Sequence, residues 1–557
     1  MAPRDSAPPA DAAPGAAAGA PPRVGGLAPF KRSFFRAIWI ANMASNFGTW
    51  FQSVGAAWTM TQLDPSPNMV ALVQAATTLP ILLFSVWAGA CADMWDRRGV
   101  LVVSLGFMCV AGALLSLLGF FGAITPWWLL ALTFAIGTGQ AFYGPAWQAS
   151  VGEMVPREEI PAAIALNSVN FNIARSAGPA LGGVLVGLAG AEAAFLFNTL
   201  SYLAVIAVYF TWKRSVPTSR LPRERMGGAV VAGLRYVGQS PEIQNVLVRS
   251  LFFGFAASAI MALLPVIAIQ QIAGGPLTYG VLLGAMGLGA VVAATVVARL
   301  RETMRGEGLA SLGSAFLAFA CLVLGLTSWM PAAFVAMFAT GLAWMMTFSV
   351  FNTTVQLCAP NWVKARALAI YQTTAFGGMA IGAWMWGELA TLHSTSVAML
   401  GASVVMAIGL LLRHRYHLPE TESIDVRPAE SAPEPNVAIP FDRFHTPVRV
   451  AVEYTVQPDK AEDFMIAMRD VRRIRKRNGA TRWRLWHDVE HPESWVEVFE
   501  LPSWIDHLRL YDRATMADRR VMARARAFHH GEAPPRATRF VLAQTSRALP
   551  HHDPTPL

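Results

Sequence analysis

From about residue 34 to residue 413 the chain alternates long uncharged apolar stretches with short polar connections. Each stretch is long enough to cross a hydrocarbon core of about 30 Å as a helix. Roughly twelve occur, near 36–61, 69–91, 100–121, 127–149, 162–188, 193–211, 243–269, 279–299, 309–329, 332–356, 366–391 and 396–412. After residue 418 the pattern changes. A Pro- and Glu-containing stretch over 419–440 has no apolar period, and 448–456 then alternates as VRVAVEYTV, a half-buried strand. A helix over 460–476, strands over 482–490 and 495–501, one or two helices over 503–528 and a last strand near 539–543 complete a βαββαβ order, the ferredoxin-like arrangement.

The expected fold class is therefore an all-α polytopic membrane protein with twelve transmembrane helices in two six-helix halves, plus a C-terminal α+β ferredoxin-like cytoplasmic domain. The expected divisions are a disordered tail over 1–29, an N-terminal half over 30–212, a cytoplasmic link over 213–241 and a C-terminal half over 242–413. A linker over 414–444, the α+β domain over 445–545 and a tail over 546–557 follow. The tail over 1–29 lacks the apolar core of a signal peptide, so the first span is expected to act as its own uncleaved insertion signal.

Composition agrees with a membrane protein that carries a soluble part. Of 557 residues, 54% are hydrophobic and only 14% charged, against about a quarter charged in a soluble chain. A net charge of +9 would point to nucleic acid in a soluble protein. Here the basic residues sit between apolar spans, so they read as topology signals and no nucleic-acid partner is expected. One set of connections carries Lys31, Arg32 and Arg36, then Arg97 and Arg98, Arg157, five cations between Lys213 and Arg225, Arg299, Arg301 and Arg305, Lys364 and Arg366, and Arg413 and Arg415. The opposite set has Asp64 and Glu192 but no Lys or Arg. Positive charge stays inside, which puts both termini in the cytoplasm of a multi-pass inner (plasma) membrane protein. The four cysteines, Cys91, Cys109, Cys321 and Cys358, form neither a disulfide framework nor a zinc spacing. No metal or cofactor is expected, and without a Walker-type loop direct ATP coupling is not expected either.

The stretch over 142–184 breaks the membrane pattern twice. Arg175 lies in an otherwise uncharged run, where a bare cation costs about 2.5–3.5 kcal/mol on the lenient insertion scale. No Asp or Glu lies at mid-depth to pair with it, and the nearest, Glu388, falls close to the outer end of the eleventh span. Its partner is left between carbonyls freed by Pro179, polar side chains such as Asn46 or Gln140, and an anionic substrate, so a structural Arg and a substrate ligand both stand. One turn on, Gly178, Pro179, Gly182 and Gly183 combine a helix-bending proline with small residues that admit a close neighbour. Asn42, Asn46, Thr49 and Ser53 form a polar stripe facing either a central cavity or another helix. Trp344, Met345, Met346 and Phe348 read as lipid or packing contacts before a drug pocket. Arg469, Arg472, Arg473, Arg475, Lys476 and Arg477 form a basic run that is either a solvated helix face or a contact with anionic lipid headgroups.

The two sets of six segments look like a degenerate repeat. Gln148, Pro156 and Arg157 precede one small-residue-rich helix, and Gln356, Pro360, Lys364 and Arg366 precede another with Gly377, Gly378 and Gly382. Repeats about an axis normal to the membrane fit alternating access around a midplane site.

These residues carry a resemblance to the major facilitator superfamily and, within it, to the exporter branch that includes the enterobactin exporters. Gly89-Ala-Cys-Ala-Asp93-Met-Trp-Asp96-Arg97-Arg98 is similar to the superfamily's cytoplasmic loop signature, with Met94 where a basic residue is common and Asp96 where Gly is common. Pro145-Ala-Trp-Gln148 through Val155-Pro156-Arg157 to Ala165-Leu166-Asn167-Ser168 resembles the exporter branch, and Gly178-Pro179 with Gly182-Gly183 resembles the fifth-helix motif of drug and proton antiporters. Glu497 to Arg509 and Ala527-Phe528-His529 resemble a cytoplasmic extension similar to the antibiotic-biosynthesis-monooxygenase type of α+β barrel.

The resemblance implies a secondary active exporter of small siderophore-like or drug-like molecules, coupled to proton exchange, with a cytoplasmic gate of Asp93, Arg97 and Arg98 latching the two halves. It implies no enzyme, and the C-terminal domain presents no nucleophile beside a base and no tight set among His487, His507, His529 and His530 for a metal. Two alternatives remain at this stage: a non-transporting membrane sensor, and a membrane-tethered enzyme or ligand-binding protein acting through its C-terminal domain. Expected partners are a small-molecule substrate, protons, membrane lipid and a second copy through the C-terminal domain.

Overall fold

The computed structural model describes residues 27–156, 159–212, 226–360, 362–419, 425–427, 429 and 436–542. The expected N-terminal tail up to residue 26, the link over 213–225, the tail from 543 and the side chain of Asp93 lie outside this description.

Helices α1 (Ser33–Leu63), α2 (Pro67–Met94), α3 (Arg97–Phe120), α4 (Pro126–Met154) and α5 (Ile160–Phe210) come first. Their ends follow local chemistry. Asp96 caps α3 by accepting from the Gly99 amide at 2.9 Å, and Thr125 caps α4 ahead of Pro126, whose missing amide is harmless in the first turn. Helix α5 is two limbs joined at Gly190, whose φ of 80° and ψ of 167° break the helix where a side chain would be strained. A short helix α6 (Met226–Gly238) precedes α7 (Pro241–Val266), α8 (Pro276–Thr303), α9 (Gly306–Leu326), α10 (Met330–Cys358), α11 (Lys364–Leu392) and α12 (Thr395–Leu411).

Packing repeats along the chain. Within the first set α1 lies on α5, α2 on α4, and α3 on α4 and α5; within the second α7 lies on α11, α8 on α10, and α9 on α10 and α12. The two sets meet through α2 with α11 and through α5 with α8, which exchange under the same six-step shift when α5 counts as two limbs.

Eight helical stretches among the described residues are both long and apolar enough to cross a membrane by length and composition. Residues 162–210 count once there although they hold two of the expected segments. Helices α1, α4 and α11 fall short because they carry Asn42, Asn46 and Gln52, Thr133, Thr138 and Gln140, and Gln372, Thr373 and Glu388. Several of these polar groups are bonded inside the bundle, as the site geometry below describes.

The C-terminal unit holds β1 (Val448–Thr455), α13 (Ala461–Asn478), β2 (Arg482–His487), β3 (Ser494–Leu501), α14 (Trp504–Asp512), α15 (Met516–Arg526) and β4 (Arg536–Val541). The sheet is antiparallel with order β2-β3-β1-β4, and Val450 pairs with Phe499 on one side and Arg539 on the other. Period-two alternation puts Val448, Val450, Val452 and Tyr454 on the covered face, against Phe464, Met468 and Val471 of α13 and Leu510 of α14.

The basic run of α13 divides: Arg469, Arg472 and Arg473 are exposed on the helix face, while Arg475 and Arg477 turn inward. Arg475 falls on the same helix face as Met468 and Val471, so it is buried, and its guanidinium forks onto fully buried Glu497 at 3.0 and 3.3 Å. Trp483 Nε1 and the Tyr454 hydroxyl donate to the same carboxylate at 2.9 and 3.3 Å, which satisfies it away from water. Arg477 is ion-paired with Asp518. Two of the six cations are therefore internal ties and face neither solvent nor lipid.

The stretch after residue 419 is not a free linker where it is described. Ala429 donates to the Ala514 carbonyl at 2.9 Å, Met516 and Ala517 donate to the carbonyls of Arg427 and Asp425, and Phe441 meets the Trp504 ring at 5.5 Å.

Candidate functional site

Arg175 sits five residues after Asn170 on the first limb of α5, one turn before Pro179. Its guanidinium carbon lies 5.3 Å from the centre of the Trp344 ring on α10. That contact joins the two helix sets. Among the described residues no carboxylate makes an ion pair with Arg175, so the face of an indole stabilises the cation in place of an anion. Trp344 also packs on Phe348 at 4.8 Å. The sequence reading of Trp344 as a lipid or plain packing residue misses this cation contact, because the two residues are on different helix sets.

Asn46 and Gln140 go elsewhere. Asn46 Nδ2 donates to Asn170 Oδ1 at 2.8 Å, Asn170 Nδ2 donates to the Trp39 carbonyl at 2.7 Å, and Tyr143 donates to Asn42 Oδ1 at 2.9 Å. Gln140 lies near the buried Tyr202 hydroxyl, which accepts from Asn198 Nδ2 at 3.0 Å. The polar stripe of α1 thus ties α1 to α4 and α5 within one set.

The small residues after Arg175 serve two neighbours. A Cβ on Gly178 would lie 2.9 Å from Cβ of Trp50, and one on Gly182 3.3 Å from the Phe51 backbone, so both let α1 approach α5. Gly183 faces the other way. A Cβ there would lie 2.7 Å from Cα of Gly280 and 2.9 Å from the Pro276 carbonyl, both on α8. Pro179, which cannot donate an amide to the Arg175 carbonyl, is buried between these contacts.

Glu388 is part of the second contact between the sets. Its Oε2 accepts from Asn68 Nδ2 at 2.9 Å, and the Asn68 amide donates to Thr391 Oγ1 at 3.1 Å. Asn68 opens α2 just after the α1–α2 connection, and Pro276 opens α8 just after the α7–α8 connection. Both contacts therefore gather at one end of the bundle, the α1–α2 end. Deeper along α2, Ser85 and Thr373 share a hydrogen bond that the sequence reading did not anticipate. Ser85 and Thr373 are small hydroxyl residues among other polar residues of their helices, so nothing local marks them as a pair.

At the opposite end, Arg97 Nη1 donates to Glu153 at 2.7 Å, joining the start of α3 to the end of α4. Arg98 donates to the carbonyls of Phe210 and Trp212 at 3.1 Å, closing the end of α5. Glu153, Phe210 and Trp212 all belong to the same helix set as the arginines. In the second set Arg249, itself buried, forks onto Glu307 at 2.6 and 2.7 Å, and the Leu418 amide donates to that carboxylate at 2.8 Å. Glu153, Arg249 and Glu307 do not enter the sequence reading, because an isolated charge near the end of a span has no partner nearby in the chain to mark it.

The histidines are separate. His487 stacks on Trp495 at 3.9 Å, His529 Nδ1 accepts from the Thr455 amide at 2.8 Å, and His507 is buried against Trp504 and Arg539. Among the described residues these histidines lie apart, each with its own partner. The two contacts between the sets close one end of the bundle.

A family model described as transmembrane secretion effector matches residues 24–547. The staphyloferrin A transporter of Staphylococcus aureus is 25% identical over 45% of this chain, which spans 64% of that protein's length. The multidrug efflux pump Tap of Mycobacterium tuberculosis is 24% identical over 72% of this chain and 96% of its own. Among solved structures, a bacterial homolog of the human lysosomal transporter Spinster, inward-facing and unoccupied, superposes with a TM-score of 0.56 at 12% identity, covering 71% of this chain and 97% of its own. A D-xylose–proton symporter gives a TM-score of 0.57 at 13% identity over 70% and 99%. At such identities the structural likeness concerns the fold.

Proposed function

Because the chain belongs to the transmembrane secretion effector family of major facilitator transporters, and is a multi-pass plasma-membrane transporter rather than an enzyme, we propose that it exports small organic molecules by alternating access. The substrates are siderophore-like or drug-like, a class supported by the names of the relatives above. In this reading both termini are cytoplasmic, the α1–α2 end faces outward, and twelve spans form two pseudo-equivalent halves. The observation that carries it is the double closure of one end. Gly183 on Gly280 and Asn68 on Glu388 seal α5 to α8 and α2 to α11, and these pairs exchange under the repeat. Breaking both would let the halves rock about the interior contact of Arg175 with Trp344, which is placed to meet substrate.

Proton antiport is part of the proposal. Glu388 is the carboxylate at the outer closure, and protonation would exchange its acceptor for a donor beside Asn68. Asp93, Arg97 and Arg98 form the inner counterpart, with Arg97 and Arg98 securing the ends of α3 and α5 within their half. The enterobactin-exporter branch fits the siderophore class, and the sheet order β2-β3-β1-β4 favours a ferredoxin-like, monooxygenase-type C-terminal domain. Its open face carries Trp486 and Phe540, each more than half exposed, a surface suited to a second copy.

The test is accumulation of a panel of siderophores and lipophilic drugs in an efflux-deficient host. Lower accumulation with the wild-type chain, reversed by a protonophore, is the expected result. Unchanged accumulation across the panel despite normal membrane expression would return the sensor alternative to first place.

A further inference from the structure

Among the described residues the C-terminal unit meets the transporter body at α6 and the α10–α11 connection. Arg235 of α6 donates to the Gly479 carbonyl at 3.0 Å, where Gly479 caps α13 with a φ of 131°. Arg513 places its guanidinium 4.3 Å from the Trp362 ring in the α10–α11 connection, and Arg477 lies 5.2 Å from the Tyr236 ring of α6. Tyr236 and Trp362 meet edge-on at 5.5 Å, and the Tyr236 hydroxyl donates to the Cys358 carbonyl at the end of α10. The seam thus touches α6, which joins the halves, and the loop that leads into α11.

Beside these contacts lies a cavity of about 390 Å³ between α6 and the start of α14. Its walls are unequal in character. Val231, Ala232, Phe444, Pro502 and Ile505 make most of it apolar, while Arg235, Arg509 and Arg513 line it with His445 and one carboxylate, Asp506; the Arg235 guanidinium also donates to the Gly479 carbonyl and that of Arg513 to the Asn478 carbonyl at 3.3 Å. Asp506 is already engaged, accepting from the Ser503 hydroxyl at 2.8 Å and from Arg509 at 3.2 Å. The local balance is therefore cationic within a half-enclosed apolar pocket, at the lower end of the size range of ligand sites. A neutral ligand would use only the walls; an anion with an apolar body uses both. Guanidinium groups recognise planar carboxylates by paired hydrogen bonds.

We propose that this seam cavity is a binding site for a small carboxylate with an aromatic or aliphatic body, distinct from the interior site around Arg175. An occupant would touch α6 and the C-terminal unit at once, so binding strengthens the docking of that unit on the transporter body.

The experiment uses the full chain in lipid nanodiscs and 19F NMR of 4-fluorobenzoate, with 4-fluorobenzamide as the neutral isostere. Saturable line broadening of the benzoate at millimolar concentration or below, without broadening of the amide, is expected. Val231→Trp, which fills the cavity from an exposed position on α6, should abolish it. Arg509→Gln should weaken it about tenfold or more, Arg509→Lys should retain it in part, and Arg175→Gln should leave it unchanged. The lysine variant guards against a loss that reflects only a disturbed α14. No saturable broadening, equal broadening by the amide, binding indifferent to both seam variants, or loss in Arg175→Gln would each overturn the proposal. None of these outcomes depends on whether the chain exports anything.

Discussion

Gly183 of α5 and Gly280 of α8 bring two helix backbones into contact across the two halves of the transporter, so close that a Cβ on Gly183 would lie 2.7 Å from the Gly280 Cα. Only a residue without a side chain fits on either helix at that contact. It is one of the two places where the α1–α2 end is shut, and its chemistry is steric alone.

Gly183→Leu should therefore prevent full closure at this end. Overpacking a tight site costs about 1–3 kcal/mol, enough to change the closed-to-open ratio by roughly fivefold to 150-fold. Export should fall by a similar factor while membrane expression and monodispersity in detergent stay normal. Gly187→Leu, at an exposed position with only the Pro276 ring 3.9 Å from its Cβ, should be far milder. Export rates of the two variants in one assay provide the check, and equal losses would remove Gly183 from the closure.

Arg175 and Trp344 should act together on substrate. A cation on an indole face contributes about 0.5–2 kcal/mol, so Trp344→Ala should raise the apparent KM for anionic substrates severalfold more than for neutral ones. Arg175→Lys should retain part of the function because the charge remains, and Arg175→Gln should not. A double-mutant cycle in KM that shows additivity would separate the two residues and leave the contact structural.

His507 gives the C-terminal unit a dependence on acid. Burial, reinforced by the nearby charges of Arg539 and Arg475, pushes its pKa down to about 4. Unfolded, the imidazole returns to its ordinary value near 6.5 and binds a proton that the folded form refuses. Stability of this unit is therefore greatest above about pH 6.5 and falls as pH drops toward 4. Protection of β1 amides against hydrogen exchange in the full chain should decline across that window, and His507→Gln should flatten the decline. The same slope in the variant would move the cause to another group.

Much of this architecture can be read from the sequence because a membrane imposes one strong rule, that an apolar run must be long enough to span. Even the break at Gly190 falls between two runs that composition separates. Sequence shows Arg175 as an anomaly but not its answer, since Trp344 is 169 positions away and reads as an ordinary apolar residue. The same holds for Asn68 and Glu388, 320 positions apart. Local pattern also misleads at Arg475 and Arg477. A cluster of cations looks solvated until the 3.6-residue period is laid over the sheet, and only then does Arg475 turn inward to Glu497.

The measurement that bears most directly on export by alternating access is a reversible lock on the α1–α2 end. Asn68→Cys and Thr391→Cys, placed together in a background lacking Cys91, Cys109, Cys321 and Cys358, put thiols at two facing positions across the halves, where the main-chain N–H of Asn68 now donates to the Thr391 hydroxyl at 3.1 Å. Oxidation should stop export of a transported substrate, reduction should restore it, and each single cysteine should be indifferent to both. Export that continues unchanged with the cross-link fully formed would contradict an opening at this end.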